Sequence, residues 1–501
     1  MVLFGSDLVR RLFLGTAVCL LFSAAGAQVV PQRHSVLAHK AAGQPAKFFP
    51  YPIHEMTLAN GLHILIVPTP EFKDMVSYTT TVFAGSRNET EKGKTGLAHL
   101  FEHIMFRHEY GGVRGGYEEL MNRIGTYNNA WTNYDMTFYH PFTFAEKLVG
   151  PVQTPQGPVP GVIALEAWRF KGLKLDHKTF QVEAGAVLGE YRRIYSFPVQ
   201  KMIEQMSPVA FPNHPYGHTV IGYLDDVEKM PQSWDAAWQF FRNYYTPNDV
   251  AIIVVGDVNP QKLFPAMEKA YADWKPAPTP KIPAAPEPKR EKPVHVEWQA
   301  EVAPRLMVAY HTPPFVPGTP ESAVALVLDE LLTSRSAPLY RRLRYQKQSV
   351  TSFDTYASPI STDPHWMLLG AELSLERFHK EGTKYVDDVR TDILNGTEAL
   401  KDFSKEPGAV HTLEVIKSKV KNDFLGQWDT TDHIAQSLAT FYRFNRDARV
   451  LDTLLQSVEA LQPADIDDYA AKYLSREGRL VGTLWHGTQQ PQSAAKKAEG
   501  R

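Results

Sequence analysis

The chain has 501 residues, 43% hydrophobic and 22% charged, with a net charge of −2. At roughly 150 residues per domain this length suggests several units with sizeable cores, and the balance excludes a disordered, collagenous or polytopic membrane protein. Near-neutral charge gives no electrostatic ground for a nucleic-acid or anionic-membrane partner. The one cysteine, Cys19, lies in an N-terminal export pattern, so the mature chain has no disulfide, thiol nucleophile or cysteine-rich metal site.

In that pattern Arg10 and Arg11 precede an apolar run from Leu12 to Phe22, and Ala25-Gly26-Ala27 offers a small-residue cleavage site. The run is too short to span a bilayer. Residues 1–27 are therefore expected to be a signal peptide cleaved near Ala27, with export to a bacterial periplasm and no stable membrane anchor; an uncleaved anchor is the alternative. Cleavage removes Asp7, Arg10 and Arg11, which takes the net charge from −2 to −3.

Residues 28–48 read as an irregular lead. GLHILIVPT and MVSYTTTVFAG then have strand character, with β-branched and aromatic residues bounded by Gly, Pro and Asn. TGLAHLFEHIMF has helical spacing, with Leu97, Leu100, Phe101 and Ile104 on one face and Thr95 as the expected N-cap. GGVRGGY (Gly111 to Tyr117) reads as a flexible connector. It lacks the Lys-Ser/Thr ending and the preceding strand of a phosphate loop. TYNNAWTNYDMTFYHPF returns to strands, and the Pro-rich segment from Gly150 to Gly161 reads as a loop. KTFQVEAGAVLGEYRRIY is expected to be a helix and DVAIIVVGDV a buried strand. Lys275 to Pro293, dense in proline, reads as a stiff linker.

On either side of the linker the text repeats. RLMVAYHTPPF…GTPESAVALVLDELLTS has the order strand, polar loop, helix of MVSYTTTVFAG…GLAHLFEHIMF, and the ends YYTPNDVAIIVVGD and KYLSREGRLVGTLWHG also correspond. One interval of this size means duplicated domains and not a solenoid. The expected organisation is a domain over 49–274, the linker over 275–293, a second copy over 294–488 and a disordered tail over 489–501.

The sharpest local signal is His99-Leu100-Phe101-Glu102-His103. On a helix the two imidazoles lie one turn apart and can face one metal, with Glu102 beside it, a combination that suits zinc. The bland reading is two surface histidines. In FQVEAGAVLGEYRRI, Phe180, Ala184, Val187, Leu188 and Tyr191 mark a core-facing stripe, and Glu183 and Glu190 lie two turns apart along its border. A carboxylate facing a core needs a partner. A metal would serve, and so would a solvated flank with Arg192 and Arg193 as ion-pair partners. His214 and His218 read as part of a Pro- and Gly-containing turn, and His108 as a surface residue. Scattered tryptophans imply no aromatic nucleic-acid platform.

HLFEH followed at long range by FxxE-x6-E resembles the inverted-zincin peptidases: pitrilysin, insulysin and the mitochondrial processing peptidase, in a short bacterial branch. NNAWTNYDMTFY resembles the family's Asn-Ala-aromatic-Thr strand and FPNHPYGHTVIG its HPYG turn. The likeness spans most of Phe49 to Gly487. It implies an α+β fold of two homologous domains with antiparallel-rich sheets, forming half of a clamshell chamber. It implies His99, His103 and Glu190 as ligands of one zinc per chain, Glu102 as general base and Glu183 as a supporting carboxylate. The implied activity is zinc-dependent endopeptidase action on peptides or unfolded segments, with Asn129, Ala130 and Thr132 on a sheet edge that pairs with the substrate backbone. The interval from His103 to Glu190 exceeds the usual family spacing, which the Pro-rich insertion at Gly150–Gly161 accounts for. Family members that keep the fold without the chemistry supply the alternative, a non-catalytic peptide-binding or assembly subunit.

The second copy carries Leu326 opposite His99 and Asp329-Glu330 opposite Glu102-His103, so it cannot rebuild the site. In related peptidases this half supplies an Arg and, seven residues on, a Tyr that hold substrate. LYRRLRYQKQSVTSFDTY matches that stretch, with Arg344 at the Arg but Thr351 at the Tyr. A threonine hydroxyl reaches less far than a phenol, and Tyr356 is at the wrong offset. The resemblance therefore implies a dimer with a related, non-identical subunit that supplies the Arg-Tyr pair; a self-sufficient homodimer is the alternative.

Overall fold

The computed structural model describes residues 36–40, 48–110, 116–282 and 292–487. The expected signal segment and tail lie outside the described residues, as do 283–291 of the linker; its last two expected residues, Lys292 and Pro293, instead begin a strand that pairs with Leu480 and Val481.

Hydrophobic runs bounded by turn residues form two sheets, one on each side of that linker. The first half contributes β1 (Val36–Lys40), β2 (His54–Leu58), β3 (His63–Pro68), β4 (Met75–Val82), β5 (Ala130–Thr132), β6 (Thr137–Tyr139) and β7 (Phe142–Phe144). A small hairpin of β8 (Pro151–Val152) and β9 (Val159–Pro160) precedes β10 (Val250–Gly256). The second half contributes β11 (Lys292–Trp298), β12 (Arg305–Thr312), β13 (Ser352–Ala357), β14 (His365–Glu372) and β15 (Arg479–His486). The first sheet runs β1-β2-β3-β10-β4-β6-β5, with β7 also on β4, and the second β11-β15-β12-β14-β13.

The sheets confirm the α+β class and the duplication. β3 is parallel to β10, β10 antiparallel to β4, β4 to β6, and β6 to β5. The second sheet repeats every sign: β11 parallel to β15, then antiparallel pairs of β15 with β12, β12 with β14, and β14 with β13. Helices correspond as well. Helix α1 (Leu97–Ile104) follows β4 as α4 (Pro320–Leu332) follows β12, and the pair α2 (His177–Ile194) and α3 (Pro198–Ala210) matches α5 (Ala409–Gln427) and α6 (Thr431–Asn445).

β10 is buried along its whole length, the mark of a strand covered on both faces. One face, with Ile252 and Val254, shares a core with Leu97, Leu100 and Phe101 of α1. The other, with Ala251, Ile253 and Val255, joins a core built mainly from the second half, and α6 lies across β4 and β10. The first half returns the contact: α3 packs on β11 and β15, where Met202 and Met206 meet Leu480 and Leu484. Gly482 permits this approach, since a Cβ there would lie 2.3 Å from Met206 Sδ. Each half thus covers a sheet face of the other, and every fully buried aliphatic at these contacts contributes about 1.5–3 kcal/mol.

A polar knot joins the halves. Asp135, in the turn after β5, accepts from Tyr216 Oη at 2.6 Å and the Thr362 amide at 3.1 Å, and pairs with Arg443 at 3.2 Å. Asp363 accepts from Arg87 and pairs with His214 Nε2 at 3.0 Å. Burial works against its charge, but His214 and Arg87 outweigh it and hold the carboxyl down at about 2. Removing Asp135 alone would leave the Arg443 guanidinium, 5% exposed, without its counter-charge, at a cost of about 3–5 kcal/mol.

Several sequence expectations are corrected. Val36–Lys40 pairs with β2, so the lead over 28–48 is not irregular throughout. The Gly150–Gly161 segment contains a hairpin; strands of two residues demand few amide donors, so Pro151 and Pro160 are tolerated. The expected connector from Gly111 ends inside a helix, Gly116–Arg123, where Tyr117 is buried, and 111–115 lie outside the described residues. His108 is buried and not on the surface: its Nδ1 accepts the Lys174 amide at 2.9 Å.

Candidate metal centre

Helix α1 buries Leu97, Leu100, Phe101 and Ile104, as its spacing predicts, and carries His99, Glu102 and His103 on its other side. Its N-cap is Gly96 and not Thr95. Gly96 adopts φ 86°, and a Cβ there would meet the Ile221 carbonyl oxygen at 2.5 Å. Thr95 instead donates its hydroxyl to Asp226 at 2.7 Å and accepts the Tyr223 amide at 2.8 Å.

Helix α2 starts at Asp176, whose side chain accepts the Thr179 amide. Phe180, Ala184, Val187 and Tyr191 are buried along the expected stripe, with Leu188 half-buried beside them. The packing of α1 on α2 brings both glutamates of α2 to the histidines. Glu190 Oε2 lies 3.6 Å from His99 Nε2 and 3.6 Å from His103 Nε2, and Glu183 Oε2 lies 3.7 Å from His103 Nδ1. One ligand atom each from His99, His103 and Glu190 lies within 4.8 Å of the others, the one such group among the described residues.

Two alternative readings are answered by these contacts. His99 is buried, which removes the reading of two surface histidines. Arg193 does pair with Glu190, through Oε1 at 2.9 Å, but leaves Oε2 to the imidazoles, while Arg192 pairs with Glu228. The partner of Glu183 that sequence reading missed is Arg107, which donates to it at 2.9 Å and to Glu118 at 2.9 Å. Arg107 stands one turn beyond His103, a spacing that could have revealed it.

Burial and neighbouring charges set the protonation of the cluster. Burial and the neighbouring His103 push His99 down to about 3, leaving it neutral. Burial would lower His103 too, but Glu183 and Glu190 outweigh it and raise the imidazole to about 9. Glu183 is held below the ordinary carboxylate range because His103 and Arg107 outweigh its burial. Burial raises Glu102 to about 7, opposed by Thr132 and His103. The donor set fits zinc: two ligand atoms at tetrahedral zinc lie about 3.4 Å apart for bonds of about 2.0–2.1 Å, close to the 3.6 Å separations here.

Beside the cluster β5 is the last strand of its sheet, and it packs against α1. Asn129 precedes it and accepts the Ala130 amide on its side chain at 2.9 Å; Ala130 and Thr132 are buried. Arg344 is exposed and donates within the second half, to the Val350 carbonyl at 3.5 Å. Thr351 bonds to Glu372, and Tyr356 lies in β13. Among the described residues that half gathers no metal-holding group; instead Lys419 of α5 donates to Glu330 of α4 and, at 3.1 Å, to Asp423 of α5. An ammonium there bridges the helices that correspond to α1 and α2.

The profile of the insulinase family, peptidase family M16, matches residues 66–223. That of the M16 inactive domain matches 234–394. The chain belongs to peptidase family M16. Among M16 relatives, zinc protease PqqE of Helicobacter pylori is 32% identical over 267 residues, half of this chain and 56% of its own length. The mitochondrial-processing peptidase subunit beta of Lentinula edodes is 24% identical over 216 residues, 43% of each chain. The chain thus aligns with about half the length of these curated relatives. A solved structure of a protease from Helicobacter pylori matches with a TM-score of 0.73 at 25% identity, covering 86% of this chain and 99% of that one. Among the described residues no helix is long and apolar enough to cross a membrane.

Proposed function

We propose that this M16 chain is a zinc-dependent endopeptidase acting on peptides or unfolded protein segments. The observation that carries the reading is the convergence of His99, His103 and Glu190 around one point, with Glu102 next to His103 on the same helix. These three residues would hold one zinc per chain. Bound zinc supplies Lewis acidity, which makes a water molecule acidic near neutral pH. Glu102 takes a proton on its carboxylate and returns it to the leaving amine. Glu183, itself held by Arg107, orients His103 through Nδ1. An extended substrate adds to the edge of β5 at Asn129, Ala130 and Thr132, where main-chain pairing gives breadth and side-chain pockets set preference.

Arg344 belongs to the substrate-holding set in this reading, but Thr351 cannot supply the phenol that completes it. The site is therefore completed in a dimer with a related, non-identical subunit, and the exported chain works in the periplasm. Purified alone and loaded with zinc, the chain should cleave a peptide library poorly, and cleavage should rise on adding the partner and vanish with a chelator until zinc is restored. Full turnover by the lone chain, unaffected by Thr351→Tyr, would count against the shared site. Chelator-insensitive cleavage would count against zinc, and a folded zinc protein that cleaves nothing with its partner would be an assembly subunit.

A further inference from the structure

Glu89 touches no residue of the metal cluster, yet it holds the helix that carries three of the site's residues. It is buried, 6% exposed, seven residues ahead of Gly96. Both carboxyl oxygens are engaged: Oε2 accepts the Gly96 amide at 2.7 Å and Oε1 the Ala98 amide at 2.7 Å. Amides at a helix start have no acceptor within the helix, and Gly96 has no side chain to supply one. Glu89 therefore does from a distance what an N-cap side chain does locally, and its burial pushes the carboxyl up to about 8 against the opposing pull of these amides.

The clamp is closed from the other side by the chain after the Pro215–Gly217 turn. His218, 4% exposed, places Nδ1 3.8 Å from Glu89 Oε2 and 3.0 Å from the Thr219 carbonyl oxygen. A Cβ on Gly222 would lie 2.8 Å from the Gly96 nitrogen, so that segment sits directly on the helix start. Ala98 is the residue before His99, whose Nε2 faces Glu190 at 3.6 Å.

We propose that Glu89 is a positioning residue for the metal centre, fixing the first turn of α1 so that His99 meets Glu190 at ligand spacing. The proposal rests on the zinc reading. Glu89→Gln is nearly isosteric, but it turns an NH2 group toward one of the two amides and loses that bond. Zinc affinity, measured by competition with a chromophoric chelator, should fall about 10–100-fold, the range for residues that support a metal ligand from behind. The visible spectrum of the cobalt-substituted protein should change, which a remote loss of stability would not cause. Glu166→Gln serves as the comparison, since Glu166 is fully buried in the same half but bonds to Tyr117, Thr80 and Arg169 and not to α1; it should keep zinc affinity within about twofold. If Glu89→Gln does not fold, Glu89→Asp, which keeps the carboxyl group and shortens the reach, is read by the same two measurements. Wild-type affinity and spectrum in the Glu89 variant, or an equal loss in Glu166→Gln, would overturn the positioning role while leaving the zinc reading intact. A wild-type chain that takes up no zinc would overturn that reading first.

Discussion

Glu102→Gln should keep zinc bound and lower peptide turnover by about 10²–10⁴-fold, the usual contribution of a positioned general base. The carboxyl is buried beside His103 and pushed up to about 7 by that burial, with Thr132 and His103 pulling it down. It lies next to the ligand group without belonging to it, so removing its charge removes a proton acceptor and no ligand. Gln preserves the volume. Turnover assayed on the zinc-loaded variant, alongside its metal content, separates the two roles: loss of zinc together with loss of fold would make Glu102 a structural residue.

Glu190→Gln and Glu183→Gln should differ in kind. Glu190 Oε2 stands at equal distance from both Nε2 atoms, so its replacement removes one of three ligands and should leave purified protein nearly free of zinc and inactive. Glu183 faces His103 Nδ1 and is held by Arg107. Its replacement should keep most of the zinc and lower turnover by about 10–100-fold through a less well oriented imidazole. Metal analysis of the two purified variants decides the matter, and equal zinc loss in both would defeat the separation of roles.

What the sequence revealed here was local periodicity. HLFEH and the seven-residue interval from Glu183 to Glu190 depend only on helical spacing, so the face each residue occupies follows from residue order alone. The all-apolar run of β10 announced a strand covered on both sides in the same way. What covers it was not legible. The apolar face of α6 shows that the helix is buried, but nothing in its spacing says that it packs on the first sheet and not on its own.

Long-range polar partners were equally hidden. Thr95 has the right chemistry for an N-cap one position too early, because the chain needs a left-handed residue at Gly96 and the acceptor comes from Glu89. His108 beside Glu109 looked solvated because its partner, the Lys174 amide, is 66 residues away. Pairing of Val36–Lys40 with β2 likewise depends on a neighbour strand that the short segment does not itself specify.

The central claim is that His99, His103 and Glu190 form a zinc site. Crystals of the zinc-loaded chain, measured on both sides of the zinc absorption edge, test it most directly. One anomalous peak per chain is expected, within bonding distance of His99 Nε2, His103 Nε2 and Glu190 Oε2. A peak elsewhere, or none in protein supplied with stoichiometric zinc, would contradict it.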